Sequence, residues 1–205
     1  MSTNHLKAQR HLARRDGVLK RLIGEAGPCT LQPMEDYFGA LVRSIVAQQI
    51  STKAAASILA RLQVALAKPG LNPRGILRAS DETLRAAGLS ASKVLSLRDL
   101  ADKVHRAEVP LHELHQLPDE EIIERLDPVR GIGRWTAEMF LIFSLGRPDV
   151  LPVDDLGLRM GVQIRYGLAE MPGKQTLTEL AEPWRPFRSI GTWYIWRSRA
   201  IDTQK

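Results

Sequence analysis

The most informative stretch of the chain is residues 126–161, which read LDPVRGIGRWTAEMFLIFSLGRPDVLPVDDLGLRMG. Its Gly131-Ile132-Gly133 segment predicts a tight turn that ends one short helix and starts another. After the second helix comes a loop that contains proline, and then the acidic pair Asp154-Asp155. The stretch therefore combines a glycine turn and two neighbouring carboxylates within an otherwise helical pattern.

The glycine turn has the chemistry of a phosphate-binding site. A helix N-terminus presents N–H groups that lack acceptors within the helix, together with the positive end of the helix dipole. Gly131 and Gly133 permit a sharp reversal and let a ligand come close without a Cβ in the way. A Gly-x-Gly turn alone is more typical of an ordinary connection between helices, so the turn does not identify a site by itself.

The acidic pair has two interpretations. Aspartate is a good helix N-cap, and a pair that follows Pro152 fits the start of a helix. Alternatively, the carboxylate attacks or stabilises a reacting centre.

Composition favours a globular protein with a polyanionic partner. Lys plus Arg total 29 against 23 Asp plus Glu in 205 residues, which gives a net charge of +6. No apolar run reaches the ~20 residues of a membrane span, and the basic N-terminus lacks the apolar core of a signal peptide. A single cysteine, Cys29, cannot form a disulfide within the chain or supply four thiolates to an iron–sulfur cluster.

The chain predicts an all-α protein of about ten short helices, because no run of alternating β-branched residues bounded by turns is present. The predicted helices cover residues 7–24, about 36–48, 52–67 with Ser51 as cap, starts at Asn72-Pro73 and Ser80-Asp81, 90–106, a start at Pro118, 134–145, 155–166, a Thr176-x-x-Glu179 capping box, and a last helix from about Pro186.

The segment L-x-x-x-x-G-I-G-x-W-T-A, from Leu126 to Ala137, with an aspartate further along, resembles the helix-hairpin-helix DNA glycosylases. The similarity is to the alkylated-base branch, the 3-methyladenine DNA glycosylase II type, and extends from about residue 30 to the C-terminus. It implies one glycosylase unit over residues 1–205, with two helical subdomains flanking an active-site cleft and no N-terminal β domain. The hairpin is expected at about 118–145 and the catalytic loop at about 146–156.

The resemblance implies base excision by hydrolysis of the N-glycosidic bond. Alignment on the glycine turn makes Asp155 the catalytic carboxylate and Asp154 a cap or support. Relatives that also cleave the strand carry a lysine two residues after the second glycine, where this chain has Trp135. A monofunctional enzyme is therefore expected, because no amine is available there to form an imine. The alternatives are a glycosylase for another damaged base, and a non-catalytic protein that uses the hairpin only to bind DNA.

The resemblance also assigns residues to the base pocket, the hairpin and a wedge that fills the gap left by a flipped base. Electron-rich indole faces suit the cationic bases 3-methyladenine and 7-methylguanine. The predicted pocket is Trp135, Met139, Leu156, Trp193 and Trp196; the hairpin contacts are Arg130, Gly131, Ile132, Gly133, Arg134 and Thr136; and the wedge candidates are Gln48, Gln49 and Ile50, with Leu89 and Ser90 as a second plug.

The remaining expectations concern ions and partners. By resemblance, backbone carbonyls of Asp127, Val129 and Ile132 hold a monovalent cation, Na⁺ or K⁺, at the hairpin, and catalysis needs no cofactor and no iron–sulfur cluster. The expected partner is double-stranded DNA that contains damaged bases. We expect a monomer that makes no membrane contact, located in the cytoplasm as a bacterial-type, nucleoid-associated protein.

Overall fold

The computed structural model describes residues 3–66 and 70–202, and every regular element in that part of the chain is a helix. The prediction of an all-α fold is confirmed. The α-helices are α1 Thr3–Arg15, α2 Gly17–Ala26, α3 Tyr37–Ala47, α4 Thr52–Leu66, α5 Pro73–Arg78, α6 Asp81–Ala86, α7 Ala91–His105, α8 Asp119–Leu126, α9 Arg134–Phe143, α10 Leu156–Tyr166, α11 Lys174–Ala181 and α12 Arg188–Asp202, with 3-10 helices at Leu114–Gln116 and Glu182–Trp184.

The helices divide into two compact units, and the division falls within α9. The first unit comprises residues 1–33 and 141–205. In it α12 packs against α1, α2 and α10. Its largest fully buried side chains include Trp184 and Tyr194. The Trp184 indole N–H donates to Asp16 Oδ2 at 2.9 Å, so this tryptophan belongs to the core.

The second unit comprises residues 34–140. Helix α7 packs against α3, α5 and α6, and α4 packs against α3 and α6. The fully buried side chains of this unit include Leu41, Ile45, Leu62, Leu97 and Leu100. Burial of each such side chain contributes roughly 1.5–3 kcal/mol to folding.

Polar side chains set where most of these helices begin. Ser80, Ser90 and Asn72 each accept a hydrogen bond from an N–H of the helix that follows, as predicted. Ser51 Oγ likewise accepts from the Ala54 N–H at 3.2 Å at the start of α4. The predicted end of that helix, at Ala67 and Pro69, lies outside the described residues.

Two of the predicted helix boundaries are wrong. The single helix expected over 7–24 is two helices, because the Asp16 carboxylate accepts from the Val18 and Leu19 N–H groups and starts α2 afresh. The expected Thr176-x-x-Glu179 capping box lies inside α11, which begins after Gly173; there the Glu179 carboxylate accepts from Gln175 Nε2 at 3.0 Å.

In the described ranges, 3–66 and 70–202, no helix combines the length and the apolar character that spanning a membrane requires.

Candidate active site and phosphate-binding hairpin

The carboxylate of Asp155, in the first unit, accepts hydrogen bonds from α10 and α12. It caps α10, because Oδ1 accepts from the Leu158 N–H at 2.6 Å. The same oxygen accepts from the Trp196 Nε1–H on α12 at 2.8 Å. The capping interpretation and the functional interpretation are therefore compatible, since the bonds that cap the helix also orient the carboxylate.

Gly157 allows α10 and α12 to approach each other beside this carboxylate. A Cβ at residue 157 would lie 3.1 Å from Asp155 Oδ1, 3.1 Å from Arg199 Nη1 and 3.6 Å from Trp196 Cδ1. The Arg199 guanidinium donates to the Gly157 carbonyl at 3.2 Å. The site thus places a guanidinium and an indole within a few ångströms of one glycine, and only a residue without a side chain fits there comfortably.

Aromatic rings continue the site away from the carboxylate. Trp196 stacks on Phe143 with ring centroids 5.6 Å apart and planes 16° apart. Trp193, half-buried on the same helix, packs its ring at 89° to Tyr194. Sequence analysis selected the two tryptophans and missed Phe143, because nothing in the local pattern of α9 marks its last residue as a stacking partner.

The neighbours of Asp155 in the chain face different surroundings. Asp154 is exposed and forms an ion pair with Lys174 Nζ at 2.7 Å, which fits the supporting role predicted for it. Leu156, a predicted pocket residue, is 57% exposed at the first position of α10. The acidic pair therefore separates into a carboxylate fixed by an N–H and an indole, and a carboxylate paired with a surface lysine.

The glycine turn lies in the second unit, between α8 and α9 as predicted. Gly131 has φ +81°, and a Cβ on it would lie 2.9 Å from Ser96 Oγ, so both backbone and packing require glycine. Ile132 between the glycines is buried, and its N–H donates to the Val129 carbonyl at 2.9 Å. The buried Ile132 side chain and this hydrogen bond therefore hold the turn in place.

Gly133 differs from Gly131. It has no positive φ, and no protein atom lies within 4 Å of the position a Cβ would take. The sequence interpretation gave both glycines the reversal, but only Gly131 makes it. Nothing in the protein's own packing asks for glycine at 133, which leaves space beside the first turn of α9 for a ligand.

The predicted hairpin contacts fall into two groups. Arg130 is exposed, whereas the Arg134 guanidinium bonds Glu120 and lies 3.2 Å from the Glu138 carboxylate. The hydrogen bond from Arg134 holds the pKa of Glu120 below its usual range. Thr136 is only 3% exposed, so its side chain is buried, and a contact with DNA can come only from its backbone N–H in the first turn of α9.

The two predicted wedge segments differ in how exposed their side chains are. The wedge loop, residues 48–50, joins α3 to α4, and in it Gln49 takes φ 59° and is exposed, as is Ile50. Leu89 is 4% exposed and packs in the core, so it cannot enter a base stack without leaving that core. Ser90 Oγ accepts from the Lys93 N–H at the start of α7. The structure does not support the second plug.

The remaining predicted pocket and cation residues lie on or near the hairpin. Trp135, in the first turn of α9, is 41% exposed, and Met139 one turn further on is half-buried. Among the described residues, no group of three or more His, Cys, Asp or Glu side chains could hold a metal. Backbone carbonyls are suitable ligands for a hard cation, and those of Asp127, Val129 and Ile132 belong to the turn itself.

Known proteins are similar to this chain over most of its length. The profile described as HhH-GPD superfamily base excision DNA repair protein matches residues 42–186. DNA-3-methyladenine glycosylase 1 of Schizosaccharomyces pombe is 37% identical over 205 residues, covering 97% of this chain and 90% of the relative.

Two solved structures are similar over nearly the whole chain. The S. pombe 3-methyladenine DNA glycosylase Mag1 in complex with abasic DNA gives a TM-score of 0.82 at 36% identity, covering 95% of this chain and 97% of that one. The DNA-3-methyladenine glycosidase from Bacillus halodurans gives a TM-score of 0.86 at 35% identity, covering 100% and 93%. The chain belongs to the HhH-GPD superfamily of base excision DNA repair proteins.

Proposed function

We propose that this protein is a monofunctional DNA glycosylase that removes alkylated bases, 3-methyladenine and 7-methylguanine among them, and so initiates base excision repair. The observation that carries the proposal is the Asp155 carboxylate, fixed by the Leu158 N–H and the Trp196 indole beside a stacked aromatic pair. The names of its relatives in S. pombe and B. halodurans support the same activity.

Asp155 acts on the sugar. As the bond between C1′ and the base nitrogen breaks, its electrons leave with the base and positive charge develops on the sugar ring. A fixed carboxylate beside the sugar stabilises that charge more than it stabilises the uncharged sugar of the ground state, and preorganised electrostatic groups of this kind are typically worth roughly 100- to 1,000-fold in rate. Water then adds to C1′, and its proton passes to Asp155 or to solvent.

The reaction ends at an abasic site because no amine replaces water as the nucleophile. Trp135 occupies the position at which a Schiff-base lysine would follow the glycine turn. An indole forms no imine with the sugar, so β-elimination of the strand has no covalent intermediate from which to start.

The aromatic pair gives the site its preference for cationic bases. Trp196 presents an electron-rich ring that is braced from one side by Phe143. A base alkylated at N3 or N7 of the purine is positively charged, and a cation on an indole face gains about 0.5–2 kcal/mol. The same charge makes the base a good leaving group, so both effects favour the same substrates. The sequence resemblance also assigns Trp135, Met139, Leu156 and Trp193 to base binding.

The hairpin binds the DNA backbone. The open space at Gly133 and the first turn of α9 suit a phosphate, and the exposed Arg130 adds positive charge. The carbonyls of Asp127, Val129 and Ile132 are the proposed ligands of a Na⁺ or K⁺ ion that would add positive charge beside that phosphate. The protein needs no other cofactor.

Access to the base requires flipping, with Gln49 or Ile50 of the wedge loop filling the gap. We propose that the protein acts as a monomer on chromosomal DNA, nucleoid-associated in the cytoplasm. The test is a panel of duplexes that each contain one lesion, incubated with the protein and then treated with alkali to cleave abasic sites. Strand breaks at 3-methyladenine and 7-methylguanine are expected. Breaks only at a neutral lesion, or none at any, would contradict the proposal.

A further inference from the structure

Helix α7, in the second unit, carries three polar side chains on one face. Lys93, Ser96 and Asp99 follow one another at intervals of three residues, which places them along the same side of the helix. Each contacts a segment that binds DNA in the proposed function, either the wedge loop or the glycine turn. We call these three residues the α7 clamp.

Lys93 holds the wedge loop. Its Nζ donates to the Val46 carbonyl at 2.7 Å and to the Gln48 carbonyl at 2.9 Å, at the end of α3. An ammonium suits these carbonyls because the C-terminus of a helix carries negative partial charge. The next residue is Gln49, with its left-handed backbone. Lys93 therefore fixes the point from which the wedge loop leaves α3.

Asp99 and Ser96 hold the glycine turn. Asp99 Oδ2 accepts from the Arg130 N–H at 2.7 Å, and Ser96 Oγ lies against Gly131, where a Cβ would come within 2.9 Å of it. Gln48 closes the arrangement, because its Nε2 donates to the Gly131 carbonyl at 2.8 Å. The wedge loop and the turn are thus bound to the same helix and to each other.

We propose that the α7 clamp sets the distance between the glycine turn, which binds phosphate, and the wedge loop. Lys93 is the positioning residue on which base flipping depends. The inference rests on the proposed function. Phosphate binding at Gly133 fixes the DNA backbone, and the wedge then has to enter the base stack at a set distance from it. A loop released from Lys93 samples many positions, and displacement by even an ångström is costly to a step that needs alignment.

The surroundings of Lys93 indicate a fixed position. Lys93 is half-buried, and this burial lowers the pKa of its ammonium. Both of its hydrogen bonds are to backbone carbonyls of the protein. A lysine that served DNA as a mobile surface charge would gain nothing from either feature.

The experiment compares the wild type, Lys93→Met and a control, Lys20→Met, which removes an exposed charge of the same size from α2. One substrate is a duplex with a single 7-methylguanine opposite cytosine. The second carries the same lesion opposite an abasic-site analogue, where less pairing has to be broken before the base leaves the stack. Single-turnover excision, affinity for undamaged DNA and melting temperature are measured for each protein.

We expect Lys93→Met to lower excision from the paired duplex by roughly 10- to 100-fold, and to excise at close to the wild-type rate opposite the abasic analogue. Affinity for undamaged DNA should stay within about threefold, because Lys93 bonds carbonyls rather than phosphate. Lys20→Met should match the wild type throughout. A merely structural role for Lys93 would lower excision equally on both substrates.

Equal losses on the two substrates, an undiminished rate on the paired duplex, or a large loss of affinity for undamaged DNA would each overturn the inference. If the wild type itself released no base, the proposed function would fail instead. Gln48→Leu provides a second test should Lys93→Met not fold, since it removes only the bond to the Gly131 carbonyl. Gln48→Leu should also lower excision from the paired duplex and leave excision opposite the abasic analogue close to the wild-type rate. Equal rates of loss on the two substrates would overturn the inference for this variant as well.

Discussion

Two helix N-termini, that of α9 in the second unit and that of α10 in the first, begin near a glycine and are built in opposite ways. At α10 the protein supplies its own anion, because the Asp155 carboxylate accepts the Leu158 N–H, and Gly157 is packed against Arg199 and Trp196. At α9 the preceding glycine, Gly133, has open space around the missing Cβ. The first terminus orients a side chain for chemistry, whereas the second leaves room for an anion from outside.

The largest effect should come from changing the carboxylate at α10. Asp155→Asn should lower excision of 7-methylguanine by roughly 100- to 1,000-fold, because it removes the charge that stabilises the sugar cation. The amide oxygen can still accept from Leu158 and Trp196, and asparagine is as good an N-cap as aspartate, so folding should persist. Single-turnover kinetics and thermal melting measure the two properties.

Asp154→Asn is the matched control. It removes one charge from the exposed ion pair with Lys174, and such pairs are worth about 0–1 kcal/mol. Excision should change by no more than about fivefold. Equal losses in the two variants would mean that the acidic pair contributes only general negative charge.

The next largest effect should come from the indole of Trp196, which serves both the carboxylate and the pocket. Trp196→Phe removes the Nε1–H that bonds Asp155 and keeps an aromatic ring, so it should slow excision of all lesions alike. Trp196→Ala also removes the ring that stacks on Phe143, and should cost cationic lesions a further factor of about 2 to 30. Rates for 7-methylguanine and hypoxanthine in matched duplexes separate the two contributions. Identical selectivity in both variants would contradict the pocket assignment.

A smaller effect is expected at the open terminus of α9. Gly133→Leu should weaken binding to every DNA sequence by about tenfold and reduce the salt dependence of the affinity, since the lost contact is to phosphate. A Cβ at this position meets no neighbouring atom within 4 Å, so the fold should tolerate the substitution. Gly173→Leu, at another glycine with open space before a helix, is the control and should bind DNA as the wild type does.

No effect at all is expected from borohydride. Because Trp135 stands in the place of a Schiff-base lysine, reduction during turnover should trap no adduct between protein and DNA. Denaturing electrophoresis of labelled DNA detects such an adduct. A stable adduct that maps to any lysine would contradict the monofunctional assignment.

The hairpin could be predicted from sequence because its information is local. Gly131 needs a positive φ, Pro118 and Asp155 mark helix starts, and all three act within a few residues of their own position. The supports of the site could not be predicted in this way. Phe143 and Arg199 reach the carboxylate's surroundings through the packing of helices that are far apart in the chain.

Burial explains most of the errors in the predicted contacts. Thr136 and Leu89 were chosen by their position beside the hairpin and the wedge, but their side chains are buried. The break between α1 and α2 at Asp16 could not be predicted from the sequence either. A single aspartate inside an apparently continuous helical pattern either faces solvent or starts a new helix. Only the three-dimensional structure distinguishes these outcomes.

The most direct test of the central claim measures rate and affinity together for Asp155→Asn and Gly133→Leu on one duplex that contains 7-methylguanine. The account predicts that Asp155→Asn loses rate at saturating enzyme and keeps its affinity, while Gly133→Leu loses affinity and recovers most of its rate once saturated. If Asp155→Asn instead binds poorly and excises at the wild-type rate when saturated, chemistry does not take place at the start of α10 and the account is wrong.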